Sequence, residues 1–363
     1  MIYVDGVPFS TISSEESDTL AALMEHPLLV SASRALKAKQ EMKFSVSEES
    51  GSQRSMQSRW VYIFQREYAT VDPALVDFVG TDEATTCVGL VIRSQKNGMV
   101  SVAHMDSPKI VDTGLNQMLS LLVDQNFDLN LDVHMIGGFE DVTLKRANGT
   151  TWSESHEKLD GYSFPLCTKI IDSLVKRREK FHIRTLFVLS HNTKRDSQGN
   201  AYPIFNGFLV ETSTGSLNPA SFERSTRCPD EIVRRLRVSA SNEDPTWNGK
   251  LLETYDTRAD RFVIAPCCWT SYQLYIALQL QQLSDADILL TCSTSPAAEG
   301  PDFVDNERRL WEYIIKHPDW QYTFPLRQPR IFKRTADGGW KRCLLTTGDS
   351  SQEPEAKTSL QMA

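Results

Sequence analysis

The sequence predicts an α+β fold. Residues 1–345 form a single domain, a mixed, largely antiparallel β-sheet core covered by helices, and residues 346–363 form a disordered tail. Three observations lead there. Segments with helical and with strand periodicity interleave along the chain. Asn97-Gly98, between two apolar runs, is a hairpin signal, so the sheet cannot be purely parallel. No Pro/Gly/Ser-rich linker divides the chain, and no internal repeat occurs.

Each element follows from local pattern. Residues 15–38 read as helix, since Leu20, Leu23, Met24, Leu28 and Leu29 recur at near-helical spacing, and Pro27 must kink or divide it. The Ser- and Glu-rich stretch 48–58 reads as a loop insertion, and "RWVYIFQRE" after it as a strand. Thr85–Ile92 and Met99–Ala103 are the hairpin strands. Asp112 or Thr113 caps a helix running through Asn126, with Leu115, Met118, Leu119, Leu122 and Val123 inward. A strand over 129–136 closes on Gly137-Gly138, and a second polar insertion covers about 144–165. A helix over 164–178 and strands over 183–190 and 204–211 follow, with "HNTKRDSQGN" as turn or loop. Apolar runs at 261–265 and 288–292 flank a helix near 272–283, and a last helix spans about 303–315. Beyond Arg342 the chain is Ser/Thr/Glu-rich and reads as disordered.

Composition narrows the function classes. Of 363 residues, 40% are apolar and 24% charged, an ordinary globular balance. The formal charge of −8 leaves no basic surplus for nucleic acid. No apolar run approaches the roughly 20 residues of a membrane span. "MIYVDGVPFS" lacks the pattern of a secretory signal, so the expected location is the cytoplasm, with the nucleus open to it. The seven cysteines are odd in number and include no C-x-x-C pair, which argues for free thiols in a reducing compartment. Asn148-Gly149-Thr150 is then an unused sequon.

Chemistry concentrates in the hairpin. Cys87 lies at the mouth of the first strand, and His104 ends the second, 17 residues on. A turn near Asn97-Gly98 brings the two together. His104 can then deprotonate Cys87 or stabilise its thiolate. The hydroxyl of Thr81 or of Thr86 can hold the second imidazole nitrogen. The backbone N–H of Cys87 and its neighbours can stabilise an oxyanion. His134, in an alternating strand, reads as structural, and Cys267-Cys268 as adjacent buried thiols beside Trp269. A metal site made of Cys87, His104 and His134 lacks recognisable ligand spacing, so no metal or other cofactor is expected.

"GTDEATTCVGLVI" and "VSVAHMDS" resemble the nucleophile region of the protein N-terminal asparagine amidohydrolases. "LDVHMIGGFED", "YPIFNGFLVE", "APCCWTSY" and "STSPAAEGPDFV" resemble further parts of that family, over about residues 60–335. The resemblance implies hydrolysis of an N-terminal asparagine side-chain amide to aspartate and ammonia, with Cys87 as nucleophile. The spacing is also similar to that of bacterial cysteine deamidases, which implies an αβ sandwich and a Thr81–Cys87–His104 triad. Asp82, Asp106 and Glu299 lie in the resembling motifs and are candidates to hold the substrate's ammonium, with Thr86 and Ser293 as further lining residues. Implied partners are protein or peptide N-termini bearing asparagine and, downstream, arginyl transfer and a ubiquitin ligase. No nucleic acid or membrane partner is expected, and the expected state is a monomer. Two rivals remain. One is a thiol deamidase acting on glutamine side chains. The other is a reader of N-terminal residues without turnover.

Overall fold

A computed structural model describes residues 1–9, 16–45, 58–122, 130–141 and 161–343. Nearly all of the 48–58 insertion, most of the 144–165 insertion, the sequon and the 346–363 tail lie outside the described residues. Ser163, expected in the second insertion, instead begins a helix, and Phe164 and Pro165 follow in it, as the helix expected over 164–178 requires.

The strands, numbered along the chain, form four sheets among the described residues. The largest has eight, in the order β15 (Leu252–Glu253), β5 (Glu67–Val71), β8 (Val100–Met105), β7 (Val88–Ser94), β9 (Asn130–Gly137), β10 (Lys180–Phe187), β1 (Ile2–Val4) and β2 (Val7–Pro8). It is mixed: β5, β8, β7 and β9 are successively antiparallel, whereas β9, β10 and β1 are parallel. A second sheet runs β3 (Met42–Phe44), β14 (Ser216–Phe222), β13 (Phe208–Glu211), β6 (Phe78–Thr81) and β4 (Trp60–Tyr62). A third, wholly antiparallel, runs β16 (Tyr255–Asp256), β17 (Arg261–Ile264), β18 (Arg330–Arg334) and β19 (Trp340–Cys343). The stretch expected as a plain loop after β10 carries a small hairpin, β11 (Thr193–Arg195) with β12 (Ala201–Pro203). The α+β class is as the sequence indicates, but its strands are divided among several sheets.

Period-2 alternation gives the central sheet two apolar faces. Val88, Leu90, Ile92, Ala103, Met105, Val133 and Met135 join one buried cluster. Val91, Val100, Val102 and Ile136 join another. Helices α1 (Glu16–Glu25), α3 (Val111–Leu119) and α4 (Ser163–Val175) pack into the first, through Leu20, Leu23, Leu115, Met118 and Ile170. α2 (Pro27–Lys37) contributes to both, with Leu29 in the first and Leu36 in the second. Pro27 divides α1 from α2 and stands at the first turn of α2, where its missing N–H costs nothing. α5 (Glu231–Ser241), α6 (Ser271–Leu280), α7 (Asp285–Cys292) and α8 (Phe303–Lys316) pack into the second cluster. The second and third sheets join that face too, through Phe208, Val210, Phe262 and Phe332.

The β7–β8 hairpin positions the chemistry. Its turn is longer than a two-residue Asn-Gly turn: Ser94 N–H donates to the Met99 carbonyl and Gly98 N–H to the Ser94 carbonyl. Gly98 adopts φ 75°, which suits glycine, so the signal marks the turn correctly but not its length. β7 starts at Val88, leaving Cys87 just outside the strand.

Candidate active site

Register sets the geometry. Val88 pairs with Met105 and Gly89 with His104. Cys87 therefore lies one step beyond the last pair, diagonal to His104 and on the same face, because side chains alternate. Gly89, opposite His104, has no room for a side chain: a Cβ there would fall 2.1 Å from the Phe208 ring. On the other flank, Gly137 has φ 103°, and a Cβ there would lie 2.7 Å from the Cys87 carbonyl oxygen. Both glycines let backbone and ring close tightly around the end of β7.

β6, from the second sheet, delivers Thr81 over this face. Its Oγ1 lies 2.8 Å from His104 Nδ1 and 3.4 Å from the Asp82 carbonyl. With the hydroxyl proton turned to that carbonyl, Thr81 accepts Nδ1–H, and the Nε2 lone pair is left free. Nε2 is buried without a hydrogen-bond partner, Cys87 Sγ included. Burial pushes the His104 pKa down to about 4, against the pull of Asp106, Glu83 and Glu67. Burial likewise raises the Cys87 thiol well above its usual range, and the charges of Asp106 and Glu299 add to this. The resting pair at neutral pH is a thiol beside a neutral imidazole. Catalytic hydrogen bonds often tighten only when substrate arrives.

Cys87 is half-buried and opens on a cavity of about 320 Å³. Asp82, Thr86, Asp106, Ser293 and Glu299 all line it. His104 instead borders a neighbouring hollow of about 90 Å³, and the two share Gln65, Glu83, Arg235 and Glu307 as wall. The structure thus gathers Thr81 with His104, and the remaining candidates with Cys87, on either side of one partition.

The carboxylates differ in what they already hold. Asp82 accepts from Tyr62 Oη at 2.7 Å, Phe222 N–H at 2.8 Å and Arg227 at 3.0 Å. Burial nevertheless raises its pKa to about 6. Glu299 accepts from Ser293 Oγ, and burial raises its pKa. Asp106 accepts from Arg66 Nε at 3.0 Å and Gln65 Nε2 at 3.1 Å, both through Oδ2. Its Oδ1 is buried and has no partner. Thr86 Oγ1 is 3.0 Å from Thr294 Oγ1, which ties the cysteine turn to the segment after α7.

Three groups escaped sequence reasoning. Glu83 turns the chain at φ 61° and is held by Arg235 at 2.9 and 3.0 Å and Arg227 at 2.6 Å. Burial opposes its charge, but these guanidiniums outweigh it and hold its pKa below the usual value. Arg227 also bridges Asp82 and Asp302. Glu307 lines both hollows, and burial raises its pKa to about 7. No spacing announces such a network, because its members come from three distant stretches, 82–83, 227–235 and 302–307. The polar run Thr81-Asp82-Glu83 looks exposed in sequence, yet Thr81 and Asp82 are 0% and 3% exposed.

Other assignments sort simply. His134 Nδ1 bonds Thr185 Oγ1 at 3.0 Å, as a structural histidine would. Among the described residues, no group of three or more His, Cys, Asp or Glu side chains is placed to hold a metal ion. Cys267 is buried, but Cys268 is exposed, so the pair is not two buried thiols.

Comparison with known proteins gives the family. The family model described as protein N-terminal asparagine amidohydrolase matches residues 50–342. A protein N-terminal asparagine amidohydrolase of Arabidopsis thaliana is 58% identical over 351 residues, covering 94% of this chain and 100% of that protein. Proteins of the same name from Mus musculus and Homo sapiens are 29% and 28% identical over 290 residues, covering 78% of this chain and 83% of each. The chain belongs to the protein N-terminal asparagine amidohydrolase family.

Proposed function

We infer that this protein hydrolyses the side-chain carboxamide of an N-terminal asparagine, giving N-terminal aspartate and ammonia. The observation that carries this reading is Cys87 at the wall of a carboxylate-lined cavity, on the same face as a histidine whose far nitrogen is held by Thr81. The name shared by the relatives supports it.

The chemistry balances without a cofactor. The Cys87 sulfur attacks the carboxamide carbon while its proton passes to His104 Nε2. The tetrahedral oxyanion is stabilised by the backbone N–H of Cys87 and its neighbours. The imidazolium returns the proton to the amide nitrogen, the C–N bond breaks and ammonia leaves a thioester. Water, deprotonated by the same imidazole, attacks the thioester, and the thiol departs with the proton. Thr81 keeps the ring in one tautomer throughout.

The working form is a single-domain monomer, in the cytoplasm with the nucleus open to it. No helix of the described residues is long and apolar enough to cross a membrane. New N-terminal aspartate is open to arginyl transfer and then to a ubiquitin ligase, so the reaction feeds N-terminus-dependent proteolysis.

The test uses peptides beginning with Asn, with Gln, with N-acetyl-Asn, and with Gly before an internal Asn. Mass spectrometry and ammonia release should show conversion of the first alone. Cys87→Ser should reduce it by on the order of 10³-fold or more. Full activity in that variant would remove the covalent mechanism, and conversion of the Gln or internal-Asn peptide would redirect the substrate assignment.

A further inference from the structure

We propose that Asp106 receives the substrate's α-ammonium through Oδ1, and so is the residue that selects a free N-terminus. This rests on the amidase reading above. In asparagine the α-nitrogen and the carbonyl carbon under attack are three bonds apart, so they lie within about 4 Å of each other. An ammonium partner must therefore stand beside the nucleophile, on the same wall of the cavity.

Asp106 meets that requirement by register. It follows Met105, the partner of Val88, as Cys87 precedes Val88. Continued one step beyond the ladder, the register sets the two opposite each other. Both line the cavity. The Asp106 side chain is 7% exposed. Arg66 and Gln65 hold Oδ2, while Oδ1 stays buried and unpartnered. A buried carboxylate oxygen without a donor is costly unless a ligand completes it, and an ammonium supplies the strongest donor available. Its competitors are already occupied: Asp82 by Tyr62, Phe222 and Arg227, and Glu83 by Arg227 and Arg235. Glu299, which accepts from Ser293, and Glu307, which lines the same cavity, are the residual rivals.

The position has a second consequence. The Asp106 charge helps hold the Cys87 thiol in its protonated form. An ammonium on Oδ1 offsets that charge, so the correct substrate eases formation of the thiolate that attacks it. A chain with a blocked N-terminus gains neither the contact nor the activation. Glutamine, one methylene longer, cannot keep its ammonium on Oδ1 with its carbonyl carbon at the sulfur. Arg66 and Gln65 prevent the carboxylate from following it.

The experiment compares two peptides that differ only at the N-terminus. One begins with asparagine; the other carries a succinamoyl cap, with hydrogen in place of the ammonium. The wild-type protein should prefer the first by roughly 10²-fold or more in kcat/KM, as a site built for a buried donor does. Asp106→Asn is isosteric, and its amide oxygen can still accept from Arg66. It should lose about 10²-fold on the ammonium peptide, with KM raised, yet should not fall on the capped peptide. The preference thus collapses. Where the capped peptide turns over too slowly, the same ratio is read as Kd on Cys87→Ser, with and without Asp106→Asn. An equal loss on both peptides would make Asp106 merely structural and overturn the proposal. So would retention of the preference in Asp106→Asn, or its collapse in Glu299→Gln or Glu307→Gln instead. Failure of the wild-type protein to convert the asparagine peptide at all would overturn the amidase reading and this proposal with it.

Discussion

At the scale of single residues, protonation states decide the chemistry. A histidine serves as base only while neutral. His104, with its pKa pushed down to about 4 by burial, is neutral through the whole physiological range. The acid limb of kcat/KM on an asparagine peptide is thus expected near pH 4, rather than near the roughly 6.5 of an unperturbed imidazole. The alkaline limb should follow loss of the substrate ammonium near pH ~8. An acid limb near 6.5 would mean that burial does not depress His104 in the free enzyme. Thr81 contributes orientation rather than charge. Thr81→Val should lower kcat/KM by about 10- to 100-fold, because a misplaced ring loses its line to the thiol. Thr81→Ser keeps the hydroxyl and should recover most of the rate. A Thr81→Val enzyme at full rate would show that packing alone orients the ring.

At the scale of elements, legibility tracks who occupies the buried face. The β7–β8 hairpin, the α1–α2 pair and α8 could be read because apolar side chains at period 2 or 3.6 fill their inner faces. β5 escaped because every residue of Glu67–Val71 is buried, which removes alternation. α5 escaped because arginines fill part of its inner face. Arg234 and Arg237 are 0% and 1% exposed. Arg234 bonds Glu67 through Nε at 3.1 Å and Nη2 at 2.6 Å, and donates to the Tyr62 carbonyl. Its guanidinium lies over the Phe64 and Phe262 rings. The site was half legible for the same reason. Thr81 and His104 sit on sequence-near strands and Cys87 just before one, whereas Arg227, Arg235 and Glu307 reach the site only through tertiary packing. The buried pair makes a firm prediction. Glu67→Gln leaves Arg234 charged in a dry interior, and should cost about 3–5 kcal/mol in urea unfolding. A loss below about 1 kcal/mol, the range of surface pairs, would mean that water reaches the guanidinium.

At the scale of the whole molecule, the site is the seam between sheets. His104 belongs to the eight-stranded sheet and Thr81 to the five-stranded one, so any charge appearing there appears inside the folded core. Stability must then respond to His104 protonation, and the sign follows from linkage. The folded pKa, about 4, is below the unfolded value of about 6.5. Between those values the unfolded chain binds the proton and the folded chain does not. The contribution is therefore complete above pH ~6.5 and is lost as pH falls toward 4, reaching about 3 kcal/mol for a shift of this size. Asp82 and Glu307 act oppositely. Their folded pKa values, about 6 and about 7, are raised, so the stability they add is present in acid and is lost as pH rises through those values. The terms offset one another, and a wild-type curve alone hides them. The informative quantity is the difference between wild type and His104→Gln, measured as urea-unfolding free energy from pH 4 to 8. Wild type should gain relative to the variant by about 3 kcal/mol across pH 4–6.5, with no further change above. Parallel curves would show that the imidazole is hydrated in the folded state. They would also show that the seam between the sheets is open to water before substrate arrives.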